Sequence, residues 1–89
     1  MTSELQVTIV NELGVHARPA AMLVQVAAGF RSQIFLSKEG YEVNGKSIMG
    51  VMMLAAEQGV KLLVRAEGED AGQATEAIAA LVASGFGED

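Results

Sequence analysis

The stretch LQVTIVNELGVHARPAAMLVQVAA, residues 5–28, contains the change of period that decides the fold. From Leu5 to Asn11 apolar and polar residues alternate, as in a half-buried strand, with Leu5, Val7 and Ile9 on one face. Residues 12–14 (ELG) turn the chain. From Ala17 to Ala28 the spacing becomes helical: Ala20, Leu23, Val26 and Ala27, with Phe30 beyond, fall on one side and would face a sheet. Pro19 is the only proline, and a helix tolerates proline only in its first turn. It therefore fixes the helix start near Ala17 and puts His16, the only histidine, at the helix mouth.

The two periods alternate through the rest of the chain. Gly29 is expected to close the first helix as a left-handed cap. Residues 32–38 (SQIFLSK) read as a second strand, with Ile34 and Leu36 on one face and Phe35 on the other. Glu39 and Gly40 turn into a short third strand, 41–44. Ser47 is the natural N-cap of an apolar helix over 48–56, which Gly59 would end. Residues 60–67 (VKLLVRAE) form a fourth strand, with Leu62, Val64 and Ala66 on one face. Over 68–85 the pattern predicts a last helix: Asp70 and Gln73 as a capping box, Ala74, Ile78, Leu81 and Val82 as the buried stripe, Gly85 as the stop. The order β-α-β-β-α-β-α, with one apolar face per element, predicts an α+β open-faced sandwich: an antiparallel sheet with its helices on one face. The other face would meet solvent. Phe35 and Leu63 then lie on the open face, shielded by neighbours such as Arg65 or exposed as a weak self-association patch.

Composition narrows the function. At 89 residues the chain is one domain, 1–89. It is 51% apolar and has no cysteine, so disulfides and thiolate metal sites are excluded and a reducing, cytoplasmic setting is expected. Net charge is −5, which lacks the basic footprint of a nucleic-acid binder. No signal peptide is read at the N-terminus, and no apolar run approaches the ~20 residues of a membrane span. No metal and no cofactor are expected.

The chemistry gathers at His16. The free N–H groups of Ala17 and Arg18 point outward beside the imidazole, and that helix end carries partial positive charge. Such an end favours an uncharged ring with a nitrogen available as nucleophile, and it suits a phosphoryl group. Arg18 adds a guanidinium that can take two phosphate oxygens, and Gly14 lets the backbone come close. No base that would discharge a phosphoryl group onto water is evident. Glu12 is the only carboxylate nearby in sequence, and it reads as a solvated turn residue. The local chemistry reads as that of a histidine that can accept a phosphoryl group and hold it, which would make it a carrier rather than a free-standing catalyst.

GVHARPAA (14–21) together with NGKSIMGVMML (44–54) resembles the histidine-containing phosphocarrier (HPr) family of the bacterial phosphotransferase system, over essentially the whole chain. The resemblance implies a four-stranded sheet of order 1-4-2-3. It implies that His16 accepts a phosphoryl group on Nδ1 from phospho-enzyme I and passes it to an enzyme II A component, with Arg18 assisting. It also implies that Ser47 is a regulatory phosphorylation site for an HPr kinase/phosphorylase in hosts that have one. Many relatives carry lysines on the first helix, where this chain has Gln25 and Ala28. Docking would then depend on Ile48, Met49, Val51, Met52 and Met53, with Arg18 and Lys46. The methionines either fill core gaps or make an adaptable surface. Two alternatives stand beside this reading: a nitrogen-type regulatory paralogue acting by stoichiometric binding, and a small-molecule-sensing module on a ferredoxin-like sheet.

Overall fold

The computed structural model describes residues 1–88. Its elements run β1 (Thr2–Thr8), α1 (Ala17–Ala28), β2 (Gln33–Lys38), β3 (Tyr41–Asn44), α2 (Ile48–Met53), β4 (Lys61–Glu67) and α3 (Ala71–Ala83), followed by a short 3-10 turn, Gly85–Gly87. The four strands form one antiparallel sheet of order β1-β4-β2-β3, as expected. Val7, Ile34, Leu36, Val43, Leu62, Val64 and Ala66 are buried beneath Ala20, Leu23 and Ala27 of α1, Val51 of α2, and Ala74, Ile78 and Val82 of α3. Alternation does this: successive side chains of a strand point to opposite faces, so one apolar set meets the helices. Leu5 shares the parity of Val7 but remains partly exposed on the edge strand. On the open face the Arg65 guanidinium lies 4.3 Å from the Phe35 ring centroid and is paired with Glu42 and Glu67. Phe35 is thus half-covered, and Leu63 alone offers little for self-association.

Several local expectations are corrected. β1 begins at Thr2 and its regular pairing ends at Thr8, although Ile9 N–H still donates to the Val60 carbonyl at 2.9 Å. Gly29 caps α1 in the right-handed region (φ −75°), not as a left-handed cap. Gly59 does not end α2. The helix stops at Leu54, where Ala55 turns left-handed (φ 49°) and Lys38 Nζ donates to the Leu54 carbonyl at 3.2 Å. Leu81 is only half-buried.

The predicted capping box at Asp70 does not form. Its carboxylate reaches away from its own helix and accepts from the Arg31 and Ser32 N–H groups, each at 2.9 Å, and from the Ser32 hydroxyl. It ties the start of α3 to the turn after α1. The Ser32 hydroxyl, then the Arg31 N–H, hold the Asp70 carboxyl down at about 2. A folded-state pKa below the unfolded value stabilises above the unfolded value and is lost as pH falls toward the folded one. Asp70→Asn is therefore expected to melt below the wild type at pH 7. The gap should close between about pH 4 and pH 2. Thermal scans at pH 7, 4 and 2.5 check this, and a gap that is constant with pH would refute it.

Candidate functional site

His16 is the N-cap of α1, as the proline required, with an extended backbone (φ −84°, ψ −168°). Its carbonyl accepts the Ala20 N–H at 2.9 Å, the first bond of the helix. Its ring does not cap the helix, so the N–H groups of Ala17 and Arg18 have no acceptor among the described residues. Arg18 is exposed on the first turn, and none of the ion pairs of the described residues involves it. The imidazole, two unbonded N–H groups and an unpaired guanidinium therefore share one helix mouth.

The loop before α1 is fixed by two contacts. Val15 N–H donates to the Ala56 carbonyl at 2.8 Å. Asn11, which is buried, donates through Nδ2 to the Gly14 carbonyl at 2.8 Å. The left-handed backbone of Gly14 (φ 69°) allows the close approach. Leu13 and Val10 stand out from this loop as exposed apolar residues that the sequence reading did not single out.

The sequence reading missed one carboxylate. Glu88, 72 positions from His16 in the chain, places Oε2 2.9 Å from His16 Nε2, and its Oε1 accepts from Asn11 Nδ2 at 3.0 Å. Glu12, the sequence neighbour, is exposed as expected. The overlooked signal is Phe86, an apolar residue beyond the helix stop: it is fully buried and brings the chain end back across the molecule.

Ser47 caps α2, its Oγ accepting the Gly50 N–H at 3.0 Å. α1 and α2 pack against each other, and Ile48, Met49, Met52 and Met53 are exposed on α2. None of the three methionines fills the core. Val51 is buried and leaves the expected docking set. Lys46 turns its ammonium to the Phe30 carbonyl, 2.8 Å away, at the far end of α1. Among the described residues no helix is long and apolar enough to cross a membrane.

A sheet of this order under three helices, with one histidine at the mouth of the first, defines a class: small phosphocarriers built as open-faced sandwiches. A family model described as the PTS HPr component phosphorylation site matches residues 3–84. The chain is 50% identical over 86 residues to the phosphocarrier protein HPr of Xylella fastidiosa, covering 97% of each. It is 49% identical over 81 residues to that of Cupriavidus necator, covering 91% of each. A crystal structure of HPr from Thermoanaerobacter tengcongensis superposes with a TM-score of 0.94 at 46% identity, covering 98% of each chain. The chain belongs to the HPr family, the phosphocarriers of the phosphotransferase system. The small-molecule-sensing and nitrogen-type readings are not favoured by these relatives.

Proposed function

We propose that His16 is the residue that carries the phosphoryl group, receiving it from phospho-enzyme I and handing it to an enzyme II A component. The observation that carries this reading is the partly exposed imidazole beside the unbonded N–H groups of Ala17 and Arg18. Those N–H groups and the Arg18 guanidinium are the groups for the phosphoryl oxygens. The exposed α2 side chains Ile48, Met49, Met52 and Met53, with Leu13, supply an apolar surface next to which a protein donor or acceptor can seat. Lys46, whose ammonium is turned to the Phe30 carbonyl, adds no charge to that surface. Ser47 begins that same helix, so a phosphate on it would set roughly two negative charges beside the apolar docking face. A host kinase acting there would weaken docking while leaving the fold intact.

The test is incubation with phosphoenolpyruvate and enzyme I. An acid-labile gain of one phosphoryl group, mapping to His16 and absent from His16→Ala, is expected. A gain that persists in His16→Ala would overturn the assignment. In the same assay Ser47→Asp should melt like the wild type, because aspartate also caps. It should bind enzyme I at least about ten-fold more weakly, a loss of ~1.4 kcal/mol. Unchanged calorimetric affinity would reduce Ser47 to a helix cap.

A further inference from the structure

We infer that Glu88 is a positioning residue for phosphoryl transfer at His16. Its carboxylate holds the Nε2–H, leaves Nδ1 as the nucleophile, and balances the charge that the ring acquires as the N–P bond forms. The inference rests on the assignment of His16 as the acceptor.

A carboxylate only accepts, so the 2.9 Å contact with Oε2 requires the proton on Nε2. In the neutral ring the lone pair is then on Nδ1, which has no hydrogen-bond partner among the described residues. Glu88 is not a loose surface acid. Its side chain is 18% exposed, against 40% for His16. Its second oxygen is held by Asn11 Nδ2, which also grips the Gly14 carbonyl two residues before His16. Its backbone N–H donates to the Gly85 carbonyl at 3.0 Å. The buried Phe86 ring anchors the turn that carries it. Both ends of the contact are therefore fixed, His16 by the start of α1 and Glu88 by a hook at the chain end.

In the transfer, the Nδ1 lone pair forms the N–P bond. The bond between phosphorus and the donor breaks, and its electron pair leaves with the donor. The ring keeps its Nε2–H and so becomes cationic. That charge appears 2.9 Å from a carboxylate that was already in place. Such an arrangement follows the logic of catalytic triads, where an aspartate fixes the histidine tautomer and stabilises the imidazolium. The phosphoryl oxygens are met separately by the N–H groups of Ala17 and Arg18 and by the Arg18 guanidinium. The ring is thus supported on one nitrogen and reactive at the other.

Glu88→Ala and Glu88→Gln test this with two readouts: imidazole nitrogen chemical shifts of the unphosphorylated protein, and the rate of phosphorylation by enzyme I against protein concentration. In Glu88→Ala the shifts should move toward tautomer averaging. The kcat should fall about 10- to 100-fold, by analogy with losing the carboxylate that orients a metal-bound histidine, with KM within about two-fold. Glu88→Gln can still accept from Nε2–H through its one oxygen, although its NH2 then faces the Asn11 Nδ2 donor, so it should hold the shifts closer to wild type than Glu88→Ala does and recover part of the rate. Wild-type shifts and rates in Glu88→Ala, with His16 still phosphorylated, would overturn the role of Glu88 alone. A change confined to KM would do the same and make Glu88 a docking residue. Phosphorylation of the wild type at a residue other than His16 would overturn the acceptor assignment, and this role with it.

Discussion

Phe86→Ala is expected to lose about 3–5 kcal/mol of stability, the range for removing a fully buried phenylalanine. The total margin of a domain this size is roughly 5–10 kcal/mol, so the variant should sit close to unfolding at physiological temperature. Phe86 lies beyond the last helix, in a segment that local pattern assigns to a tolerant tail. Here the ring has no exposed surface, and its backbone is left-handed (φ 58°) between two glycines that are also left-handed. A non-glycine residue in that region costs about 1–2 kcal/mol. The cost is offset by the apolar area the ring buries. The same substitution should release Glu88 and slow phosphorylation of His16 at temperatures where the variant is still folded. Denaturant unfolding decides it: a loss below about 1 kcal/mol would mean that the chain end is not anchored by this ring.

Gly14→Ala is the second large effect. A Cβ on Gly14 would lie 2.5 Å from the Ala56 carbonyl oxygen and 2.9 Å from Glu57 Cα, both backbone atoms that no rotamer change can move. The left-handed backbone adds about 1–2 kcal/mol, and overpacking adds roughly 1–3 kcal/mol. Relief requires the 11–16 loop to part from the 55–57 loop, which breaks the Val15 to Ala56 bond and moves the N-cap. Both stability and the rate of phosphorylation should therefore fall, with the Val15 amide resonance shifted. Wild-type melting would show that the two loops separate at no cost.

The two predictions come from different levels of the molecule. Gly14 is legible in sequence as a backbone that must come close, because a glycine precedes a lone histidine and a helix-starting proline. What it comes close to is the carbonyl of Ala56, which only the fold supplies. Phe86 follows a helix stop, and local pattern assigns such a residue to a tail. Asp70 is a similar case. Its spacing to Gln73 satisfies the capping-box pattern, yet its carboxylate serves Arg31 and Ser32 across the molecule, where three donors outweigh one local N–H.

The sequence by itself determined the order of elements, the sheet face each strand buries, and the placement of His16, Arg18 and Ser47 at helix starts. Each of these follows from periodicity or from the backbone limits of proline and glycine, which act within a few residues. Only the tertiary structure decided which exposed side chains stay on α2, where Lys46 spends its charge, and that a glutamate 72 residues away meets the imidazole. These depend on how separate elements pack, and no local propensity encodes that. The Glu88 contact exists because burying Phe86 lowers the free energy enough to fold the chain end back beside α1, and the acid two residues on is brought to His16 by that burial.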